Sequence, residues 1–172
     1  MSTVTVDEVM SWEPCKEYPR ERVTALFADR ETITALDVLE MDIPAEDRLW
    51  AVLREEMVPA PILHEFACRC AEAALMQERK AGREPDPRSW AAIEAKRKWM
   101  RGEIDDNELR AARDTAWDAA QDVAGAWDTA WVAAWFDAGD AAWFAACVTT
   151  QEAARNEQCV MLRDIIRKSN TK

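Results

Sequence analysis

The sequence predicts an all-α protein, a single-domain multi-helix bundle organised around one long helix rich in alanine and tryptophan. Residues 105–149 contain no proline, are dense in alanine and hold five of the chain's nine tryptophans. Alanine has the highest helix propensity of all residues. The 172-residue chain has four glycines and no convincing alternation of apolar and polar residues, so no strand is predicted. Its length suffices to bury one core.

The first 43 residues are predicted to form an N-terminal arm and short helices, ahead of a helical domain over 44–172. Residues 1–18 show no periodic pattern and are expected to lie across the domain as an arm. Pro19 predicts a short helix that ends at Phe27, because proline suits the first turn of a helix. A second short helix is expected over 31–41.

Prolines and glycines delimit the helices of the larger segment. Pro44 predicts the start of a third helix, which Pro59 and Pro61 end. The loop around Gly82 separates the next two helices, and Gly102 ends the second of them. The predicted helices cover 44–58, 61–80, 86–101 and 152–168.

The long helix is expected to cover most of 106–147, with Asp105, Asp106 and Asn107 capping its start. Two faces are predicted, separated by the helical period. Trp117, Trp127, Trp131 and Trp135 fall within an arc of about 80°, whereas Asp114, Asp118 and Asp122 fall on the opposite side. The tryptophan face is either core packing or a stacking surface for an aromatic ligand.

The charge distribution limits the classes of partner. The net charge is −11, and acidic blocks at 1–57 and 105–147 flank a mildly basic middle. Such a chain is not expected to bind nucleic acid through its phosphates. The acidic surface either attracts a basic protein partner or serves solubility alone. Acidic residues interrupt the apolar stretches, so no membrane span is expected.

Cysteine usage and the N-terminus predict a cytoplasmic protein. Five cysteines in a pattern unlike a disulfide framework suggest reduced thiols, mostly buried. No apolar signal region stands at the N-terminus. The sequence is compatible with a homodimer.

The sequence offers no catalytic or metal-binding set. His64 is the single histidine, and there is no phosphate-binding loop, dinucleotide fingerprint or Ser–His–Asp candidate. We therefore expect a protein that is not an enzyme, with no catalytic residues, no metal and no cofactor.

Residues 45–150 contain a helix of the form L-x-x-F-A-x-x-C-A-E, a D-x-R loop, and A-I-E-A followed by W-x-x-G-E-I. These motifs are formed by Leu63, Phe66, Ala67, Cys70, Ala71 and Glu72; Asp86 and Arg88; Ala92, Ile93, Glu94 and Ala95; Trp99, Gly102, Glu103 and Ile104. Through these positions the segment resembles the Imm-5-like immunity protein family. Their polar members (Glu72, Asp86, Arg88, Glu94 and Glu103) are expected to form helix caps and partly buried ion pairs, and a ligand site is the alternative.

The resemblance implies an all-helical protein that neutralises a toxin or a defence effector, as an immunity or anti-defence protein. Its partner would then be that toxin or effector, bound by direct contact at Asp114, Asp118 and Asp122. The alternative is a small-molecule binding protein, for example of a nucleotide-like signal, with a tryptophan-lined pocket and a cation at its mouth. Its ligand-binding residues would be Trp90, Trp99, Arg88, Lys96, Arg97 and Trp117.

Overall fold

The computed structural model describes residues 2–122 and 152–171, with the backbone alone for 117–122. Over these residues the protein is all-α, as predicted, with eight helices and one small two-stranded sheet. The strands are β1 (Thr3–Val4) and β2 (Ile33–Thr34). The helices are α1 (Val6–Ser11), α2 (Arg20–Phe27), α3 (Ala35–Leu39), α4 (Ala45–Val52), α5 (Ala60–Lys80), α6 (Pro87–Met100), α7 (Asp106–Asp122) and α8 (Glu152–Ser169).

The N-terminal segment is more regular than predicted. β1 pairs antiparallel with β2, with Val4 opposite Ile33. A capping box then starts α1: the Thr5 side chain accepts a hydrogen bond from the Glu8 amide, and the Glu8 carboxylate accepts one from the Thr5 amide at 2.7 Å. The segment expected to lie across the domain as an arm thus contains a strand and a helix, because this cap provides a helix start that apolar periodicity did not reveal.

Two of the short predicted helices begin or end elsewhere. The helix expected from residue 31 begins at Ala35, because residues 33 and 34 pair with β1. The helix expected over 44–58 ends at Val52, where Leu53 leaves the helical conformation with ψ 54°. The amides of Met57 and Val58 then donate to the Arg54 carbonyl at 3.1 and 2.9 Å, forming a turn that buries both side chains.

The longer helices begin and end close to their predicted limits. Asp86 caps α6 by accepting a hydrogen bond from the Arg88 amide at 2.8 Å. Gly102 follows α6 with φ +71°, a left-handed conformation that favours glycine. Asp105 caps α7 by accepting from the Glu108 amide at 2.9 Å, as predicted. The predicted extension of this helix towards residue 147, with Trp127, Trp131 and Trp135, lies outside the described residues.

One hydrophobic core joins the two ends of the chain. The helix α8 packs against α3, α4 and α5, and α6 packs against α5 and α7. Val4, Val23 and Phe27 from the first 43 residues belong to the same buried cluster as Phe66 and Leu162. None of the described helices has the length and apolar character needed to cross a bilayer.

Candidate functional site

An apolar pocket lies among the N-terminal helices, in a region where the sequence predicted no site. Its volume is about 230 Å³. The walls come from α1, α2, α3 and α4 and from the segments that join them. Its lining includes Val9, Trp12, Tyr18, Leu26, Phe27, Met41, Trp50, Ala51 and Met57. Leu26, Trp12 and Trp50 are half-buried, as expected for side chains that border a cavity.

The polar groups of the pocket are two carboxylates and one phenol. The hydroxyl of Tyr18 donates to Asp47 Oδ2 at 2.6 Å. Burial and this negative partner together raise the pKa of Tyr18 to about 12. The second carboxylate, Glu46, accepts a hydrogen bond from Arg155 of α8 at 2.5 Å. Both carboxylates at the pocket thus already have donors.

Two arginines stack on the aromatic side chains of the pocket. The Arg54 Cζ atom lies 4.8 Å from the ring centroid of Trp12 and 4.4 Å from that of Trp50. The two indole rings are themselves 6.5 Å apart at 69°, an edge-to-face arrangement. The Arg22 Cζ atom lies 4.2 Å from the ring centroid of Tyr18. Both arginines make cation–π contacts with rings that border the pocket, but neither arginine lines the pocket itself.

Arg54 forms no ion pair with a carboxylate among the described residues. Its side chain is half-buried, and its Nε atom is buried without a hydrogen-bond partner there. Burial lowers the pKa of the Arg54 guanidinium, and the negative charge of Glu56 acts in the opposite direction. Arginine remains charged at neutral pH in proteins, so Arg54 is a cation held by aromatic faces.

The ligand-binding residues predicted from the sequence lie elsewhere, on α6 and α7, and have partners within the protein. Arg97 binds Glu72 at 2.5 Å and Glu65 at 3.2 Å, and Arg88 binds Asp86 at 2.8 Å. Lys96 is only 2% exposed, with its Nζ 4.3 Å from the centroid of the Trp99 ring. That these residues also bind a ligand stays a prediction.

The remaining two residues of that predicted set are tryptophans. The Trp90 ring lies under Arg79, whose Cζ is 5.4 Å from the ring centroid. Trp117 lies in the part of α7 whose side chains are outside the described residues.

The polar motif positions form caps and ion pairs, as expected, but only Glu72, Asp86 and Arg88 are partly buried, whereas Glu94 and Glu103 are exposed. Besides Arg97 with Glu72 and the Asp86 cap, Arg101 binds Glu94 at 3.3 Å and Glu103 at 2.6 Å. Burial alone would raise the pKa of Glu65, but hydrogen bonds from Arg69 and Arg97 hold it below its ordinary value. The ion pairs of Arg97 with Glu65 and Glu72 connect α6 to α5.

Asp114, at the predicted protein-binding face, is exposed on α7. The side chains of Asp118 and Asp122 lie outside the described residues, so the common face of the three stays a prediction.

The remaining reactive groups lie apart from one another. His64 is 8% exposed, with its ring 5.4 Å from that of Trp99 in an edge-to-face contact. Burial raises the pKa of the Cys68 thiol to about 12 and that of Cys70 further still, so both behave as small apolar groups. Cys15 is exposed and lines the pocket. Within the residues that the structure describes, no group of three potential ligands could hold a metal ion.

The pocket residues were missed because they come from a segment without clear periodicity. Two local signals were present: Trp50 and Arg54, and likewise Tyr18 and Arg22, are four residues apart, a spacing that brings an aromatic ring and a guanidinium together. Trp12 carries no such signal, since its aromatic partner Trp50 is distant in sequence. Comparison with known proteins finds no matching family model, no matching curated protein and no matching solved structure.

Proposed function

We propose that this protein is a small-molecule binding protein without turnover of its own, and that its ligand occupies the apolar pocket among α1, α2, α3 and α4. The observation that carries the proposal is an apolar pocket bordered by Trp12, Trp50 and Tyr18. The sequence analysis expected a tryptophan-lined pocket with a cation at its mouth; this pocket has tryptophans from other positions, and its charged lining residues are the carboxylates Glu46 and Asp47. His64, the only imidazole of the chain, is not part of the pocket wall.

The size of the pocket fits a compact ligand. An apolar cavity of about 150 Å³ is known to hold a benzene molecule, whereas drug-sized ligands occupy about 300–1,000 Å³. With about 230 Å³, the pocket lies between these limits. By the same ratio it suits a molecule of roughly nine non-hydrogen atoms. Apolar walls would supply most of the affinity through removal of ligand surface from water.

Filling the pocket tests this proposal. Ala51 lies on α4 in the pocket wall, so Ala51→Phe should occupy the space that the ligand needs. Ala91 lies exposed on α6, and Ala91→Phe is the matched control. The three proteins are purified without denaturant, then denatured, and the released small molecules are identified by mass spectrometry.

We expect one compound to be released in stoichiometric amount by the wild type and by Ala91→Phe, and at least tenfold less by Ala51→Phe. Equal release from all three proteins would place the ligand elsewhere. Release of nothing by the wild type, together with no binding of added apolar compounds, would refute the proposal.

A second function is supported by a different surface. We propose as the alternative that the protein inhibits a toxin or defence effector through α7, whose Asp114 is exposed. A helix loses little entropy on docking, and exposed acids raise the rate of association with a basic partner. Asp118 and Asp122 complete the predicted face by sequence spacing.

Replacement of Asp114, Asp118 and Asp122 by asparagine tests the alternative. Proteins captured from a host lysate at low salt would be compared between the wild type and the triple variant. We expect a single basic protein to be captured by the wild type and lost from the triple variant, with the circular dichroism spectrum unchanged. Capture of the same protein by both would show that the acidic face serves solubility alone.

A further inference from the structure

We propose that the ligand of the pocket is a small apolar amine in its protonated form, whose ammonium group binds the carboxylate of Asp47. The body of the ligand then lies against the apolar walls. This inference rests on the proposed function and adds the chemical class of the ligand.

Among the described residues, the charged side chains that line the pocket are both acidic. They are Glu46 and Asp47, which are neighbours in the first turn of α4. Glu46 is exposed and forms an ion pair with Arg155 at 2.5 Å, so its charge is balanced within the protein. A charged group of a ligand therefore meets the charge of Asp47 in particular.

Asp47 differs from the other half-buried carboxylates of the described ranges, because it forms no ion pair there. Each of those others binds an arginine: Asp37, Glu65, Glu72, Glu78 and Asp86. Asp47 instead accepts a hydrogen bond at 2.6 Å from the hydroxyl of Tyr18. Since burial and Asp47 raise the pKa of Tyr18 to about 12, the phenol keeps its proton at neutral pH. Tyr18 and Asp47 together thus carry one negative charge, and a cationic ligand would balance it.

The carboxylate of Asp47 can accept further hydrogen bonds. A carboxylate has about four acceptor positions, and within the described residues Asp47 uses the one that Tyr18 occupies on Oδ2. An ammonium group carries three N–H donors and no acceptor, so it can bind this carboxylate while the bond from Tyr18 remains. Hydrogen bonds between two ionised groups are about twice as strong as those between neutral groups. An amine therefore gains more here than an alcohol of the same shape.

The surroundings of Asp47 strengthen its attraction for a cation. The other lining residues are mostly apolar, and two charges attract each other more strongly beside apolar walls than in water. Because Asp47 is already half-buried, a ligand removes less water from it than from an exposed acid. The positive charges of Arg22 and Arg54 oppose a cationic ligand, but neither arginine lines the pocket, and Arg22 is exposed to solvent, which screens its charge. An anionic ligand would instead lie beside the carboxylates of the wall.

Three compounds with the same phenyl body and different head groups test the proposal. The probes are 2-phenylethylamine, 2-phenylethanol and phenylacetate, each with about nine or ten non-hydrogen atoms, a size that suits the pocket. They are titrated into the intact protein by calorimetry at pH 7 and low salt. We expect the amine to bind roughly tenfold or more tightly than the alcohol. Phenylacetate should bind most weakly, because its charge is repelled by that of Asp47.

Variants assign the effect to one residue. Asp47→Asn removes the charge and retains an acceptor for Tyr18, so it should reduce the affinity for the amine to that for the alcohol and leave the affinity for the alcohol unchanged. Asp47→Glu keeps the charge on a longer side chain; it should retain part of the preference for the amine and guards against misfolding of the first variant. Asp42→Asn is the matched control, because Asp42 is exposed and does not line the pocket. It should leave all three affinities unchanged.

The outcomes separate this inference from the proposed function. If the alcohol or phenylacetate binds as tightly as the amine, or if Asp47→Asn binds the amine as tightly as the wild type, the assignment to amines is wrong while the pocket remains a binding site. Loss of amine binding in Ala51→Phe, with binding retained in Ala91→Phe, would support the pocket as its site. Amine binding retained in Ala51→Phe would overturn the inference. If none of the probes binds the wild type, both proposals are overturned.

Discussion

Two half-buried arginines of this protein have different kinds of partner. Between α5 and α6, Arg97 forms ion pairs with Glu65 and Glu72. Beside the pocket, Arg54 lies against the rings of Trp12 and Trp50. The carboxylates satisfy both the charge and the hydrogen-bond donors of Arg97. The indole rings contact only the faces of the Arg54 guanidinium, so Arg54 contributes packing and cation–π contacts in place of an ion pair.

The local sequence explains the difference. Glu65, Arg69 and Glu72 lie on one face of α5 because their spacings of four and three residues follow the helical period. The helix α6 packs on that face and brings Arg97 to it. Arg54 lies in the turn after α4, where its acidic neighbours Glu55 and Glu56 are exposed to solvent.

The largest effects on the free energy of unfolding are expected when a phenylalanine of the core and one beside the pocket are each replaced by alanine. Phe66 is fully buried in α5, and Phe27 is 2% exposed but borders the pocket. Phe66→Ala should lower the free energy of unfolding by about 4–5 kcal/mol and Phe27→Ala by about 3 kcal/mol, since a side chain beside a cavity makes fewer contacts to lose. Urea unfolding measures both. Equal losses would mean that the pocket is filled by packing in solution.

A smaller difference is expected for the two arginines. Arg97→Met leaves two half-buried carboxylates without their shared partner, so the free energy of unfolding should fall by about 1–3 kcal/mol. Arg54→Met removes cation–π contacts alone and should cost less than about 1 kcal/mol. The same urea experiment reports both values. A greater loss for Arg54→Met than for Arg97→Met would show that the aromatic contacts of Arg54 stabilise the protein more than the ion pairs of Arg97.

The smallest effects on the free energy of unfolding are expected from Glu65 at acid pH and from Tyr18 at alkaline pH. The pKa of Glu65 is below its ordinary value of 4.5, so its stabilising contribution is present above pH 4.5 and is lost as the pH falls through the lowered value. The pKa of Tyr18 is raised from 10.0 to about 12, so its contribution is present below pH 10 and is lost as the pH rises towards 12.

The test measures the urea midpoint of unfolding as a function of pH in single variants. Each variant should reduce the pH dependence at one end of the range. Glu65→Gln should reduce the acid dependence and Tyr18→Phe the alkaline dependence, while Glu21→Gln, an exposed control on α2, should change neither. A wild-type acid dependence retained in Glu65→Gln would assign it to other carboxylates.

Much of the fold followed from local signals in the sequence. The helices α5, α6 and α8 were predicted to within a few residues, because prolines and Asp86 mark the starts of α5 and α6 and a long apolar stripe continues through each of the three. The start of α1 was missed although Thr5 and Glu8 carry the capping-box spacing, since a six-residue helix has too few apolar positions to show a period. The end of α4 depends on a turn at Arg54 that buries Met57, a tertiary effect.

The position of the candidate site could not be predicted from the sequence. A tryptophan-lined ligand site was expected on α6 and α7, from residues that lie close in sequence. The pocket instead joins side chains from residue 9 to residue 57, and no local spacing records their proximity. The ion pairs of α5 and α6 were predictable because their motif residues repeat at helical intervals.

The pairing of β1 with β2 has a consequence for amide hydrogen exchange. The strands β1 and β2 pair through two residues each, and the segment between them contains α1 and α2. Both helices contribute side chains to the pocket wall. So short a pairing holds this segment by few backbone hydrogen bonds, so it can open without the separation of α5 from α8. We expect the amides of α1 and α2 to exchange faster than those of α5. A ligand in the pocket should slow the exchange of the helices that line it and leave that of α6 unchanged, which would reveal its presence before its identity is known.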